Sequence, residues 1–529
     1  MMLTNKFSSL FFIILLYLIA NIFMLLNNGW YWDDWCISSY AGLKDICQGV
    51  GIPYMIPVHS FLLNLTATPA LLYHILTGFF EILAIIIFFK CLLLFHASQS
   101  QAFILSTLFG LMPYNMAKTT MACFMYTTGF LFFLVAVLAF IYFIRRNNII
   151  LRIISLSFFF CSFALLPSLL VLTLAFLLYI AVFNETRKIE FNWNYFKLIL
   201  TKLLSWADFL LIPFIFWILR SVFLKPSGIY VAEGYRELSI SSVLLTPIHL
   251  IDVFIKNFIG IGTITDTLNI SSIYTILFAL LFIILFILFR QFKIEQFQNG
   301  KMLVFTGLYF FFAGAFPYTM VGKFPLFDGY DSRHQILLRL GSAFLLFYII
   351  SLSKSQTIQK LGFIVLVSLF IISTISHQLQ YQKSWFKQLA LEKVFSQEKL
   401  LTEGTNFVVI DNTMEYNEHN KGYAFYCYTG ILNKTFGTQT RFAIDSKELS
   451  IYGSYNPKAF INSAAYHIKD CQNITSFNYW VVITRGGLVL TNIQNIKMLY
   501  QYYFDKDQFE NSVNKILSLQ VFSYVAENQ

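Results

Sequence analysis

The sequence predicts a polytopic α-helical membrane protein of about eleven spans, followed by a small extracytoplasmic α/β domain. Hydrophobic residues make up 57% of the 529-residue chain and charged residues only 12%, and the mean hydropathy is +0.65. Apolar runs of roughly 17–25 residues, the length that crosses a bilayer, recur over most of the chain. We therefore expect a transmembrane domain at residues 1–380 and an extracytoplasmic α/β domain at residues 381–529.

The candidate spans follow from the apolar runs alone. Pro167 divides the stretch 150–183, which is too long for one crossing, and it predicts a turn between two spans. No small-residue cleavage site follows the first run, so we predict a membrane span there and not a removable signal. The runs are residues 7–27, 70–95, 102–117, 122–144, 150–166, 168–183, 203–222, 270–290, 302–322, 336–353 and 361–379.

Basic residues are concentrated in every second loop of this arrangement, for example at 145–152 and 290–301, while most acidic residues lie in the other loops. The positive-inside rule then predicts a multi-pass plasma (inner) membrane protein with a cytoplasmic N-terminus. The same asymmetry accounts for the net charge of +10, so no nucleic-acid partner is predicted. The segments predicted on the outer face are 28–69, 223–269, 323–335 and the tail from about residue 380.

Two further segments, 54–63 and 246–262, are apolar on one face and too short or polar to span, which predicts helices lying in the membrane interface. In the tail, residues 384–401 form an amphipathic helical pattern. Short runs rich in β-branched and aromatic residues at 407–412 and 479–484 predict buried strands. Helical patterns around 492–517 follow, and alternating strands and helices predict an α/β domain.

An acidic pair, Asp33 and Asp34, follows the first span in the sequence Trp30-Tyr-Trp-Asp-Asp-Trp35. Carboxylates at the edge of a bilayer are costly, and a positioned carboxylate suits general-base catalysis or binding of a divalent cation. Capping of the helix that follows Trp35 is the alternative, since Asp is favoured at helix N-termini. The surrounding aromatic residues, Trp32 among them, fit either a sugar-stacking wall or an interfacial belt.

A second candidate cluster, Lys323, Tyr330, Arg333 and His334, lies before the apolar run 336–353. Arg and His at the mouth of an outward-facing helix are suited to phosphate, which the helix N-terminus also favours. The alternative is a charged juxtamembrane cluster in which Asp331 pairs with Arg333 or Lys323. Arg339 lies inside the apolar run and needs a partner or a ligand there.

Arg236 lies in the outer segment 223–269, which could cover a substrate groove or could be an ordinary interfacial loop. Cys36 and Cys47 share one outer segment, and Cys427 and Cys471 share the tail, so two disulfides are compatible with an oxidising compartment but their pairing is open. No Cys/His spacing indicates a zinc site, and no phosphate-binding glycine loop or Gly-x-Ser-x-Gly motif is found.

The overall plan resembles the GT-C superfamily of membrane glycosyltransferases, which take sugars from polyprenyl-phosphate carriers. The resemblance rests on the many spans, the Asp33–Asp34 pair in the first outer loop and the soluble domain after the last span. It implies that one of these aspartates is the base or a ligand of Mg²⁺ or Mn²⁺. It also implies that Lys323, Arg333 and His334 hold the lipid phosphate.

By the same resemblance, Trp32, Tyr330 and Arg236 are the candidates for substrate contact. The oligosaccharyltransferases of the superfamily carry a Trp-Trp-Asp motif in their soluble domain, and this chain lacks it, so transfer to protein asparagine is not expected. The expected reaction is inverting transfer of a hexose or pentose to a cell-envelope glycan or lipid. An O-antigen-type polysaccharide polymerase or ligase, a lipid-linked glycan transporter and a non-catalytic scaffold are the alternatives.

Overall fold

The computed structural model describes residues 6–183, 193–227, 240–258, 272–297, 299–327, 329–451 and 477–523. In these ranges the chain is mostly helical with one small sheet near its C-terminal end. The helices before that sheet are α1 Lys6–Leu25, α2 Tyr40–Val50, α3 Met55–Asn64, α4 Pro69–Leu94, α5 Gln99–Leu111, α6 Phe124–Arg146, α7 Ile149–Leu165, α8 Leu169–Phe183, α9 Trp193–Ser205, α10 Ala207–Phe223, α11 Ile240–Val253, α12 Ser272–Leu288, α13 Gly300–Met320, α14 Leu338–Ser351 and α15 Gln356–Gln397.

Within the described ranges, six helical segments are long and apolar enough to cross a membrane. The bent pair α9–α10, whose axes meet at 60°, adds a seventh if it is one span. The chain therefore has the character of a multi-pass membrane protein, and the count of eleven spans stays a prediction. The six segments are Phe7–Leu25, Pro69–Leu94, Phe124–Arg146, Gly300–Met320, Tyr330–Ser351 and Gln356–Gln397.

The remaining predicted runs also contain helices, but shorter ones. The run at 102–117 is cut short, because α5 ends at Leu111 and is followed by the 3-10 helix Met116–Thr119. Residues 101–111 of α5 are all buried, so this helix lies inside the bundle and packs against α4 and α14. The predicted turn at Pro167 is confirmed, since α7 ends at Leu165 and α8 begins at Leu169.

Local sequence signals account for several helix ends. Ser98 and Gln101 form a capping box at the start of α5. Asn147 ends α6 in the left-handed conformation, with a φ of 49°, and the side chain of Asn148 accepts a hydrogen bond from the Ile150 N–H at the start of α7. A tight α6–α7 hairpin results, which brings these two helices into extensive contact.

The sheet contains β1 Asn406–Asp411, β2 Phe442–Asp445, β3 Tyr479–Arg485 and β4 Leu517–Ser523, in the order β2-β1-β3-β4. β1 is parallel to β2 and β3, whereas β4 is antiparallel to β3. The two predicted strands are therefore confirmed as β1 and β3. Helices α16 Lys399–Glu403, α17 Phe425–Phe436, α18 Ser446–Ile451, α19 Asn492–Phe504 and α20 Lys506–Val513 complete this sheet domain.

Helix α15 joins the bundle to the sheet domain without a break. Its 42 residues run from the opposite end of the bundle into the core of the domain, where Trp385, Phe386 and Leu391 are buried. The predicted boundary at residues 380/381 thus falls inside one helix. The first loop packs on the same core through Tyr31 and Trp35, and Trp35 lies against α17 at Gly430, where a Cβ atom would come within 2.6 Å of the indole.

Candidate functional site

The candidate site lies where the bundle meets the sheet domain, and it begins with the loop that follows α1. Residues Trp32–Asp34 form a 3-10 turn in which Trp32 has a φ of 48°, a left-handed conformation that is uncommon and costly for a large side chain. The Tyr31 hydroxyl fixes the turn by donating to the Tyr381 carbonyl at 2.6 Å. Helix α15 therefore holds the turn from the domain side.

Asp34 is completely buried, and its carboxylate joins two loops by hydrogen bonds. Its Oδ2 accepts from the Tyr31 N–H at 3.0 Å, and its Oδ1 accepts from the Ala122 N–H at 2.9 Å. Burial raises the pKa of Asp34 to about 7, although the backbone hydrogen bonds oppose this rise. Asp34 therefore does cap a helical turn, but the turn is its own. The following helix α2 is capped by Ser39 instead.

Asp33 is only partly buried and directly follows Trp32 in the first loop. Both Asp33 and Arg333 act electrostatically on the thiol of Cys123. The Trp32 ring lies 5.3 Å from that of Tyr330, on which the Arg333 guanidinium stacks. The structure therefore brings the first loop and the segment before α14 together.

Arg333 lies in the 3-10 helix Tyr330–Leu337, with its guanidinium 3.8 Å from the centre of the Tyr330 ring. Its Nη1 donates to the Tyr330 carbonyl at 2.7 Å and lies 3.2 Å from Asp331 Oδ1, so the predicted pairing with Asp331 does occur. Its buried Nε has no hydrogen-bond partner among the described residues. A buried guanidinium N–H of this kind is a ready donor to an anionic ligand.

Two more basic side chains lie beside Arg333. His334 is buried against Tyr318, with ring centres 4.7 Å apart, and its Nδ1 has no hydrogen-bond partner in the described part of the chain. Lys323 is within electrostatic reach of Arg333 and Asp331, and burial, together with the guanidinium, lowers its pKa. The three predicted phosphate ligands therefore form one cluster.

The sheet domain supplies an aromatic side of the site that sequence reasoning missed. The Trp32 ring lies 5.3 Å from Tyr330, 5.7 Å from Tyr381 and 6.2 Å from His419, and it stacks on the imidazole at an interplanar angle of 11°. His419 has a φ of 54°, a further left-handed residue at the site. No local pattern in the tail sequence marks this histidine, because its role arises from a contact between distant segments.

Glu418 and Lys421 place two more ionisable side chains at this junction. Glu418 Oε2 accepts from Ser384 Oγ at 2.5 Å, and burial raises the pKa of its carboxyl group to about 7. Lys421 reaches across to Gly329, which has a φ of 74°, and a Cβ atom there would come within 2.8 Å of the ammonium nitrogen. Glycine fits here because it adopts a positive φ readily and has no Cβ atom to meet the Lys421 side chain.

We expect Glu418 to make stability depend on pH. Its folded-state pKa of about 7 lies above the usual 4.5, so the folded state keeps a proton that the unfolded chain has released. Stability should therefore fall as pH rises from about 4.5 to about 7, by up to roughly 3 kcal/mol for a fully buried group. Thermal unfolding of Glu418→Gln should show a smaller fall over this range than the wild type, and an unchanged pH profile would contradict the prediction.

The segment 112–123 forms the floor of the site. Its Ala117 N–H donates to Ser332 Oγ at 2.8 Å, and its Ala122 N–H holds Asp34. Lys118 points away from the site into the bundle, with its ammonium group 5.5 Å from the centre of the Tyr17 ring. Burial lowers the pKa of Lys118 to about 8.

An ion pair inside the bundle lies beneath this floor. Arg339 Nη1 lies 2.5 Å from Glu81 Oε2, and the side chains are 3% and 0% exposed. Lys118 is close enough to act electrostatically on the pair. The partner that Arg339 was expected to need is therefore Glu81, in the interior of the bundle.

The donor set does not fit a divalent cation. Both oxygens of Asp34 already accept backbone N–H groups, which leaves Asp33 as the only carboxylate of the pair that could coordinate an ion. In the described part of the chain, no group of three or more His, Cys, Asp or Glu residues is arranged to hold a metal.

The remaining predictions concern the cysteines and Arg236. Cys36, Cys47 and Cys427 are free thiols, so Cys36 and Cys47 do not form a disulfide. Cys471 and Arg236 lie outside the described residues, and the predicted contact of Arg236 with substrate stays a prediction. A cavity of about 800 Å³ lies at the opposite end of the bundle, between Phe88, Arg145 and Glu295, and none of the predicted site residues lines it.

Comparison with known proteins adds no assignment. No family model matches the chain, and no curated protein is similar to it.

Proposed function

We propose that the chain is a membrane glycosyltransferase that moves a sugar from a polyprenyl-phosphate donor to a cell-envelope glycan or lipid. The observation that carries this proposal is the contact between the Trp32 and Tyr330 rings, 5.3 Å apart, which brings the loop of Asp33 to the segment that carries Arg333 and His334. Transfer from a phosphate carrier needs a base for the acceptor and positive charge for the leaving phosphate, and this region holds both.

The proposed membrane arrangement is the one predicted from loop charge, with about eleven spans and the N-terminus in the cytoplasm of a plasma (inner) membrane. The site and the sheet domain then lie on the outer face. A lipid-linked donor can present its phosphate there while its chain stays in the bilayer. The described helices support a multi-pass protein, and the orientation rests on the positive-inside rule.

In the proposed reaction, Asp33 accepts the proton of an acceptor hydroxyl as the oxygen forms a bond to the anomeric carbon. The bond from that carbon to the phosphate oxygen breaks, and its electron pair leaves with the lipid phosphate. Attack from the face opposite the phosphate inverts the anomeric centre. The Nε of Arg333, with Lys323 and His334 beside it, stabilises the departing phosphate, while Asp34 positions the loop.

The proposal is tested by mass spectrometry of surface glycans from a deletion strain, its wild-type complement and an Asp33→Asn/Asp34→Asn complement at equal protein level. Loss of one sugar residue on deletion, restored only by the wild type, is the expected result. Glu392→Gln is the matched control, because Glu392 forms an exposed ion pair with Lys434 on the domain surface. Full restoration by the double variant would overturn the proposal.

We expect Arg333→Lys to retain the positive charge and still impair transfer. Lysine cannot reproduce the planar guanidinium, which stacks on Tyr330 and directs its Nε into the site. Loss of one phosphate donor should cost about 10²–10³-fold in kcat/KM for the lipid donor. Steady-state kinetics with varied donor would measure this, and an unchanged kcat/KM would remove Arg333 from the proposed phosphate site.

One observation favours a lipid-linked glycan transporter as the second candidate. The cavity at the opposite end of the bundle and the Glu81–Arg339 pair in the interior are features that transporters also show. Proteoliposomes with a fluorescent lipid-linked glycan would separate the two functions. Exposure of the label to a membrane-impermeant quencher without sugar transfer would favour transport.

A further inference from the structure

Helix α19 of the sheet domain has a continuous apolar stripe on its exposed side. Ile493, Ile496, Tyr500 and Phe504 follow one another at spacings of three or four residues and are all exposed, with Phe504 76% exposed. Val489, in the non-helical segment just before the helix, is also exposed. Such spacing places the side chains on one face, and a stripe of this kind on a water-soluble surface is unfavourable.

The opposite face of α19 attaches the helix to the domain. Met498 and Leu499 are buried there, and Asn495 Nδ2 donates to the Leu379 carbonyl of α15 at 3.3 Å. Tyr502 packs edge-on against Trp385 of α15, with ring centres 4.8 Å apart. The exposed stripe is therefore held rigidly, and its exposure is not a consequence of a loose helix.

The position of α19 along the bundle decides what the stripe faces. The Tyr503 hydroxyl donates at 2.9 Å to the carbonyl of Leu26, which directly follows the last residue of α1. The helix therefore lies level with the end of a candidate span. On the helix surface Tyr503 borders the stripe, so this edge of the stripe is next to the end of α1.

Helix α1, whose end Tyr503 contacts, also exposes apolar side chains. Ile19 and Ile22, in the last turns of α1, are each 41% exposed, as expected for side chains that face lipid. Lys497 is exposed on α19 close to the stripe, where its ammonium could reach the headgroups while its carbon chain stays apolar. Bilayer surface thus explains the stripe, the adjacent lysine and the neighbouring span together.

We propose that α19 is an interfacial helix that inserts this stripe into the acyl-chain boundary of the leaflet next to the sheet domain. A helix that lies in the interface with its apolar face buried has this pattern. The inserted helix would fix the height of the domain above the membrane and so the height of Trp32 and His419 above the lipid-borne substrate. The inference concerns a lipid surface and holds whether or not sugar transfer is the reaction.

The test uses the full chain in lipid nanodiscs that contain a phosphatidylglycerol with a diazirine near the end of one acyl chain. After illumination, mass spectrometry should find lipid adducts on residues 489–504. In Ile493→Ser/Phe504→Ser these adducts should fall by at least about tenfold, because two apolar anchors are lost. The matched control Gln494→Ser, on the same helix and partly buried, should keep them.

Because Ile493 and Phe504 are exposed, the double serine variant should keep the wild-type thermal midpoint, and adducts on α1 provide an internal reference for labelling. Wild-type protein with labelled α1 and unlabelled α19 would overturn the proposal. Adducts on α19 that persist in the double serine variant would also overturn it. Protein–protein crosslinks at residues 489–504 in place of lipid adducts would identify a second copy as the partner and reject the membrane contact.

Discussion

Replacing Asp33 with asparagine is expected to lower the rate of sugar transfer by about 10²–10⁴-fold, the usual contribution of a general base. Asparagine keeps the size and the hydrogen-bonding capacity of the side chain but cannot accept the proton of the acceptor hydroxyl. Asp33 is partly exposed, so its substitution should leave the thermal midpoint close to that of the wild type. The measurement is kcat with purified protein, lipid donor and acceptor, beside a thermal unfolding scan.

Asp34→Asn provides the comparison that separates catalysis from positioning. Both Asp34 oxygens accept backbone N–H groups, from Tyr31 and Ala122, and an asparagine NH₂ would place a donor against one of these donors. We therefore expect Asp34→Asn to lower the thermal midpoint as well as the rate. The raised pKa of Asp34, about 7, would suit a base, but its oxygens are already occupied by the loops they join.

The result that would reject this assignment is specific. If Asp33→Asn retains the full rate and Asp34→Asn abolishes transfer with an unchanged thermal midpoint, then Asp34 is the base and the capping geometry opens in the reaction. If both variants retain the full rate, the acidic pair is structural, and an arginine-based polymerase or ligase becomes the better hypothesis. Glu392→Gln, with its exposed ion pair, controls for the loss of one surface carboxylate.

Local pattern in the sequence predicted the apolar helices, the strands β1 and β3 and the loop that carries the acidic pair. These features depend on residues close together in the chain, such as the proline between α7 and α8. The two strands β2 and β4 were missed. β2 has four residues and β4 alternates with exposed positions, so neither has the apolar run of a buried strand.

The aromatic side of the site could not be predicted for a different reason. Trp32 and His419 lie in distant segments of the chain, and their contact depends on how α15 carries the sheet domain back onto the first loop. Single-sequence patterns report on periodicity and chain turns, and they contain no signal for such a pairing. The basic cluster was predicted because Lys323, Arg333 and His334 are close in sequence.

The junction between bundle and domain has a consequence for how the site works. Tyr31 and Trp35 of the first loop are buried in the core of the sheet domain, and Asp34 ties the same loop to the segment 112–123. A movement of the domain must therefore move Trp32 and Asp33 or break these contacts. The sheet domain is thus part of the site and not an appended module, although most of its sequence lies far from the acidic pair.

Breaking the Glu81–Arg339 pair is expected to have the largest effect on stability. Both side chains are almost completely buried, and removing one partner leaves an uncompensated charge, which typically costs about 3–5 kcal/mol. We therefore expect Glu81→Gln and Arg339→Gln each to lower the thermal midpoint strongly in detergent. Arg152→Gln is the matched control, since its ion pair with Asp208 is partly exposed and should contribute about 1 kcal/mol or less.

The double variant Glu81→Leu/Arg339→Met distinguishes a structural pair from a functional one. Replacing both buried charges with apolar side chains of similar size is often neutral or stabilising, so it should restore most of the thermal midpoint. If the pair only supports the bundle, sugar transfer should recover with it. Recovered stability without recovered transfer would show that the buried charges beneath the floor segment are needed for activity as well as for stability. A small effect of each single variant would contradict the buried-pair prediction.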